Sequence, residues 1–276
     1  MAARRKPKES SRDAVALPTI TPWLFNGFYK FCRYYLRKHF HAVAVDRRVF
    51  QSAPIDAGAP LICYANHPGW WDPIIAIHLC QTCFTGRQFY APIDAEALKK
   101  YGIFSKLGFY GIDSHSLQGA ANFLKVSRRI LAEANASIWI TPEGRFADPR
   151  DHDATLMPGL AHLALQNEQV ILLPLAIEYV FWEERLPEAL MRFGTPISAH
   201  ELRGLSKEEC SALLNLRLRD TQRALAESAI ARRSNDFEIQ LSGKTGTFSF
   251  YDWFRSLRGK WRGQKVDIQH GSKLNA

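Results

Sequence analysis

Residues 61–73 read LICYANHPGWWDP and hold an apolar strand, a polar loop and the start of a helix. The first five residues form the β-rich run that is typical of a buried strand, and the run at 73–84 predicts a helix. Further along the chain, short apolar runs keep alternating with helical patterns. Such alternation is typical of a sheet covered by helices. We therefore predict an α/β fold with a mixed, largely parallel sheet.

The same patterns predict elements along most of the chain. Besides 61–65, apolar runs predict strands at 88–92, 109–112, 137–141, 170–177 and 191–193. Helical periodicity predicts helices at 23–40, 73–84, 95–107, 118–134, 159–166 and 207–231. No Gly- or Pro-rich linker interrupts the central region, so we predict a single domain there.

Two titratable residues follow the strand at 61–65. His67 lies in the loop after this strand, and Asp72 lies five residues later, where the helix begins. Strand-end loops are a common location of active sites in α/β sheets. Pro68 and Gly69 allow a tight return, so the Asp72 carboxylate can reach one imidazole nitrogen and leave the other as a general base. The alternative is a structural histidine beside an aspartate that caps the helix.

A second polar stretch follows the strand predicted at 137–141. Residues 140–146 read ITPEGRF, in which Glu143 and Arg145 flank a glycine. Gly144 allows the backbone to approach a ligand closely. The alternative is a strand-to-loop turn that carries a surface ion pair.

Together, these stretches resemble the PlsC-like glycerolipid and lysophospholipid acyltransferases, which include the 1-acylglycerol-3-phosphate acyltransferases. Asn66, His67 and Asp72 match the family's H-x4-D block, and residues 142–145 match its P-E-G block. Glu143 follows His67 by 76 residues, a separation that suits the family. Leu-Pro-Leu at 173–175 matches a third block, so the resemblance covers roughly residues 55–200.

The resemblance implies the glycerolipid acyltransferase fold and an O-acyltransferase. His67 would take the proton of an acceptor hydroxyl while Asp72 orients the imidazole, and the hydroxyl would attack an acyl thioester of coenzyme A or acyl carrier protein. The resemblance implies that the acceptor is bound by Glu143, Gly144, Arg145 and Ser114. It gives supporting roles to Asn66, Pro142 and Pro174. The resemblance implies no metal, and no cofactor besides the thioester co-substrate.

Two departures from the family pattern concern the acceptor. The block between the first two motifs usually ends in Ile-Asp-Arg, whose arginine helps to hold the acceptor phosphate, but Ser114 stands at that place here. The family's threonine is also missing, because Arg145 directly follows Gly144. We therefore expect the acceptor to be a hydroxyl of a lysophospholipid or related lipid whose head group differs from that of lysophosphatidic acid and is less charged. The alternative is a non-phosphate acceptor, either a glycolipid or an isoprenoid lipid.

The basic charge of the chain is concentrated at its ends. The net charge is +9, of which residues 1–40 carry +7 and residues 237–276 carry +4, so residues 41–236 carry −2. A near-neutral centre argues against a nucleic-acid groove and favours an anionic membrane surface as the partner of the ends. The five cysteines, an odd number, indicate a reducing compartment.

The helix predicted at 23–40 is amphipathic. Leu24, Phe28, Phe31 and Tyr35 share one face, and basic residues follow the opposite face. This composition is typical of a helix that lies in the membrane interface, although a surface helix packed on its own domain is the alternative. Residues 250–262 repeat the aromatic and basic pattern. No apolar run approaches the roughly 20 residues that a membrane span requires.

From these patterns we predict four segments: a basic disordered tail at 1–17, an amphipathic membrane-associating helical segment at 18–45, an acyltransferase domain at 46–236, and a basic aromatic segment at 237–276. We expect a monotopic enzyme of phospholipid biosynthesis on the cytoplasmic face of a membrane. Its expected partners are a lipid acceptor, an acyl thioester and the anionic surface, without nucleic acid. The alternatives are an acyl thioesterase or lipid hydrolase, in which His67 activates water, and a non-enzymatic basic module that binds membranes or nucleic acid.

Overall fold

A computed structural model describes residues 17–46, 48, 55, 56, 58–113 and 116–243. Ser114 and nearly all of the predicted tail at 1–17 therefore lie outside the described residues, as do residues 244–276 of the predicted C-terminal segment.

Nine strands lie in the described part of the chain: β1 Ala42–Asp46, β2 Leu61–Ala65, β3 Gln88–Asp94, β4 Phe109–Ile112, β5 Ala136–Ile140, β6 Ile171–Val180, β7 Glu188–Phe193, β8 Ile197–Ser198 and β9 Phe237–Ser242. They form one sheet in the order β4-β3-β5-β2-β6-β7-β1-β9, and β8 pairs with the start of β6. The neighbours from β4 to β6 are all parallel, as are β7 and β1. The pairs β6–β7 and β1–β9 are antiparallel. The predicted mixed, largely parallel sheet is confirmed.

Six α-helices lie within the same residues: α1 Pro22–His39, α2 Asp72–Cys83, α3 Ala95–Lys100, α4 Leu117–Ile130, α5 Gly159–Leu165 and α6 Lys207–Ile230. The helix predicted at 95–107 is divided, because α3 ends before Tyr101 and a 3-10 helix follows at Gly102–Leu107. Glycine has a low helix propensity, which accounts for the break at Gly102.

Helices cover both faces of the sheet. The hydrophobic core on one face joins α1 and α2 to the strands and includes Leu36 and Leu79. The core on the other face joins α4, α5 and α6 to the strands and includes Phe123, Leu163 and Leu218. Each core removes a continuous apolar surface from water, which is the main stabilising contribution to such a fold.

The sheet extends beyond the limits predicted for the acyltransferase domain. Val43 of β1 pairs with Ala189 of β7 and with Leu241 of β9. Residues 42–46, which we predicted to lie mainly in the helical segment 18–45, are therefore a strand. Likewise, the first residues of the segment 237–276 are an edge strand. Both strands pair with residues far away in the chain, so local periodicity did not reveal them.

Helix α1 packs on the domain through a buried side that includes Phe25, Cys32 and Leu36. Within the predicted aromatic face, Tyr35 is partly buried against the same core, whereas Phe31 is half exposed. This packing agrees with the alternative in which the helix rests on its own domain, and its contact with a membrane stays a prediction. Among the described residues, we find no helix whose length and apolarity would let it cross a membrane.

Candidate active site

The turn between β2 and α2 brings His67 and Asp72 together. Asp72 is the first residue of α2 and is 3% exposed. Its Oδ2 lies 2.5 Å from His67 Nδ1 and accepts the backbone N–H of Gly69 at 3.2 Å. The structure therefore contains the predicted contact between the Asp72 carboxylate and the His67 imidazole across the Pro-Gly turn. This arrangement leaves Nε2 as the imidazole nitrogen that can face a substrate.

Tyr179 is a partner of this pair that the sequence motifs did not indicate. Its hydroxyl donates to Asp72 Oδ1 at 2.5 Å. Burial, together with the neighbouring Asp72 carboxylate, raises the pKa of Tyr179 well above its ordinary value, so the hydroxyl keeps its proton at neutral pH. The predicted strand ended at 177, but the alternation of Leu173, Leu175 and Ile177 continues to Tyr179 on the same face. That alternation could have identified it.

The backbone around His67 is held by neighbouring segments. The side chain of Asn66 donates to the carbonyl of Ile177 at 3.0 Å and accepts the N–H of the same residue at 2.8 Å. The N–H of His67 donates to Glu143 Oε2 at 3.1 Å, and the His67 carbonyl accepts the N–H of Ala147 at 3.0 Å. These bonds explain why a short loop can present the imidazole in one orientation.

Glu143 lies behind the turn that carries His67 and Asp72, which we call the catalytic turn after its proposed role, rather than in the wall of the cavity described below. Its side chain is 1% exposed, and its Oε1 accepts from Arg219 Nη1 of α6 at 2.8 Å. Both carboxylate oxygens are thus engaged, one by Arg219 and the other by His67. This arrangement gives no support to the predicted contact of Glu143 with an acceptor. Arg219 lies far from the sequence motifs, so they did not indicate it.

The residues after Glu143 turn towards the solvent and the cavity. Gly144 has φ +65°, a conformation that L side chains rarely adopt, and a Cβ there would lie 2.5 Å from Met157 Sδ. The guanidinium of Arg145 lies 3.3 Å from Asp151 Oδ2, and its side chain is 61% exposed.

The two prolines that were predicted as supporting residues contact neighbouring segments through their carbonyls. Pro142 accepts the N–H of Met157 at 2.7 Å. Pro174 is buried in β6 and accepts the N–H of Gly194 at 2.8 Å. Pro142 also lines the cavity, whereas Pro174 does not. Ser114 lies outside the described residues.

A cavity of about 550 Å³ opens at the carboxyl edge of the parallel strands β2, β3, β4 and β5. Its size is within the range of small-molecule sites, and its wall is mostly apolar. The wall includes His67 and Asp72 at the end of β2. Among the described residues, the other titratable side chains of the wall, apart from cysteine, are Asp94, Asp113, Arg145 and His162. The described residues contain no group of His, Cys, Asp and Glu that is suited to a metal ion.

A family model described as Acyltransferase matches residues 46–178. The matched segment contains His67, Asp72 and Glu143, whereas Tyr179 and Arg219 follow it in the chain. No curated protein matches the chain.

Proposed function

Because the chain belongs, through residues 46–178, to the Acyltransferase family of PlsC/1-acylglycerol-3-phosphate acyltransferases, we propose that it transfers a fatty acyl group from a thioester to a lipid hydroxyl. The chain is an enzyme of the O-acyltransferase type. The observation that carries the finer proposal is the bonded His67–Asp72 pair in the wall of an apolar cavity.

His67 acts as the general base in this reaction. Its Nδ1–H donates to Asp72, so Nε2 is free to accept the proton of the acceptor hydroxyl. The hydroxyl oxygen then attacks the thioester carbonyl, a C–O bond forms and the C–S bond breaks. The thiolate leaves and takes the proton back from the imidazolium, while the Asp72 carboxylate stabilises the positive charge in between.

The apolar wall supports a fatty acyl chain as the transferred group. Phe89, Phe109, Trp139 and Leu175 belong to the core on the α2 face of the sheet and also line the cavity. Each methylene that such a wall removes from water contributes about 0.8 kcal/mol. The donor is an acyl thioester of coenzyme A or of acyl carrier protein.

The charges that line the cavity support an acceptor with a neutral head group. Asp72, Asp94 and Asp113 bring carboxylates to the wall, whereas Arg145 is the one Lys or Arg among its described lining residues. The Arg145 guanidinium already lies beside Asp151. A phosphate monoester would compete with Asp151 and would meet nearby carboxylates. We therefore favour a glycolipid or isoprenoid lipid over lysophosphatidic acid.

The exposed side of α1 supports a location at an anionic membrane surface, on the cytoplasmic face. Trp23, Phe31 and Tyr34 expose most or about half of their surface. The helix has no acidic residue, and its lysines and arginines are Lys30, Arg33, Arg37 and Lys38. Aromatic rings and basic side chains on one helix are typical of attachment to a lipid interface.

Flotation with liposomes tests the membrane location. We expect the protein to float with vesicles that contain phosphatidylglycerol, and the double variant Trp23→Ser, Phe31→Ser to remain in the dense fraction. Leu216→Ser, which changes an exposed apolar residue of α6, is the matched control and should float normally. Equal flotation of all three proteins would contradict this use of α1.

Thiol release from acyl-coenzyme A and acyl carrier protein, measured with and without acceptor lipids, tests the proposed reaction. We expect release to require an acceptor and to match the amount of acylated lipid detected by mass spectrometry. Acceptor-independent release at the full rate would instead indicate a thioesterase. A strong preference for lysophosphatidic acid over neutral and glycosylated acceptors would overturn the proposed head-group selectivity.

A further inference from the structure

A buried ion pair connects helix α6 to the catalytic turn. Arg219 is 2% exposed, and its Nη1 donates to Glu143 Oε1 at 2.8 Å. The other oxygen of Glu143 accepts the N–H of His67 at 3.1 Å. The guanidinium of Arg219 is therefore connected to the backbone of His67 through a single carboxylate.

The same helix holds the loop that follows Glu143 at two further points. Arg219 Nη2 donates to the carbonyl of Ala154, and Gln222 Nε2 donates to the carbonyl of Pro149 at 2.9 Å. Ala147, whose N–H donates to the His67 carbonyl, lies in the same loop between Glu143 and Pro149. The N–H and the carbonyl of His67 are thus both hydrogen-bonded to the segment 143–147, and α6 contacts this segment and the loop after it.

A buried ion pair is a poor means of gaining stability alone, because desolvation of both charges offsets much of their attraction. Such a pair does impose a particular geometry, since any shift leaves a charge without its partner. Here the ion pair fixes the position of the His67 backbone, and the imidazole of His67 lines the cavity.

We propose that Arg219 is a positioning residue: acting through Glu143, it fixes the backbone of His67 so that the imidazole faces both Asp72 and the substrate. The proposal rests on the proposed function, because it concerns the base of that reaction. It assigns the Glu143 carboxylate to the catalytic turn and not to the acceptor. It also makes α6, which lies beyond the matched segment, a part of the catalytic unit.

Steady-state kinetics of three variants provide the first test. Arg219→Met removes the guanidinium, and Arg219→Lys keeps a charge that can still reach Glu143. Arg223→Met removes an exposed arginine of the same helix, which pairs with Asp220, and serves as the control. Because misplacement of a catalytic group by about 1 Å can cost about 100-fold in rate, we expect Arg219→Met to lower kcat by about 10- to 100-fold.

The pattern of the kinetic constants separates positioning from other roles. We expect KM for donor and acceptor to stay near the wild-type values in Arg219→Met, Arg219→Lys to recover part of kcat, and Arg223→Met to behave as wild type. A folded Arg219→Met with full kcat, or one that changes only the acceptor KM, would overturn the proposal. If Arg219→Met does not fold, the same comparison is made with Arg219→Lys and Glu143→Gln.

A second readout does not depend on any substrate. The bonded Nδ1–H proton of His67 should give a downfield NMR resonance that exchanges slowly with water. We expect this resonance to broaden or disappear in Arg219→Met, to persist in part in Arg219→Lys and to persist fully in Arg223→Met. An unchanged resonance would contradict positioning by Arg219, even if the enzyme transfers acyl groups as proposed. Conversely, loss of the resonance would support positioning even if the proposed reaction proved wrong.

Discussion

Tyr179→Phe removes one hydroxyl behind the proposed base and leaves the aromatic ring in place. In the structure this hydroxyl donates to Asp72 Oδ1 at 2.5 Å, while Oδ2 is bonded to His67 and to the N–H of Gly69. A hydrogen bond to a charged group contributes about 1.5–3 kcal/mol. Since each 1.36 kcal/mol is a factor of ten in rate, the loss of this bond is expected to lower kcat by about 10- to 150-fold.

The expected loss of kcat assumes that the hydrogen bond from Tyr179 to Asp72 acts mainly in the transition state. In the proposed reaction, Asp72 stabilises the imidazolium that forms as His67 takes the proton, so the orientation of Asp72 is needed most in the transition state. An interaction required there lowers kcat when it is lost and leaves substrate binding nearly unchanged. We therefore expect KM for the thioester and for the lipid acceptor to stay close to the wild-type values.

The assay is thiol release at saturating donor and acceptor, with thermal unfolding measured on the same samples. Tyr110→Phe is the matched control, because it removes another buried hydroxyl, which lies 2.8 Å from Ser127 Oγ on the opposite face of the sheet. We expect both variants to be less stable than the wild type, and only Tyr179→Phe to have a lower kcat. If the two variants lose the same stability and both retain kcat, then Tyr179 serves only packing and the reasoning about Asp72 is wrong.

Two further predictions concern the loop and the pH dependence of stability. Gly144→Ala forces alanine to φ +65°, so we expect a lower melting temperature and lower activity; Met157→Ala added to it should relieve the contact with Met157 but not the backbone strain. Equal stability of Gly144→Ala and wild type would contradict this. Burial raises the pKa of Glu178 and Glu188 to about 7, so their contribution to stability is complete at acid pH and is lost as the pH rises through 7. The melting temperature should therefore fall as the pH rises from about 4.5, the ordinary pKa of glutamate, to about 7, and Glu178→Gln should reduce that slope; an unchanged slope would count against this assignment.

Features that depend on neighbouring residues were predictable from the sequence. The run at 61–73 contains a strand, a Pro-Gly turn and a helix start in direct succession, so the approach of Asp72 to His67 follows from local geometry. The alternation of strands and helices likewise predicts a parallel sheet, because each helix connects two strands that run in the same direction.

Features that depend on distant residues were not predictable. The antiparallel pairing of β1 with β9 joins the first and the last strand of the described chain, and no local pattern marks it. The role of Glu143 also depends on Arg219, which lies 76 residues further along the chain. Only the folded structure shows that this carboxylate meets an arginine and the backbone of His67, and therefore lies away from the cavity.

The central claim is that His67 is the base that activates the acceptor hydroxyl. The most direct test compares acyl transfer by His67→Ala with transfer by His200→Ala, in which an exposed histidine is changed near the amino end of β6. General-base catalysis contributes about 10²- to 10⁴-fold, so we predict a loss of that size in kcat for His67→Ala and a normal rate for His200→Ala. A folded His67→Ala that transfers acyl groups at the wild-type rate would contradict the claim.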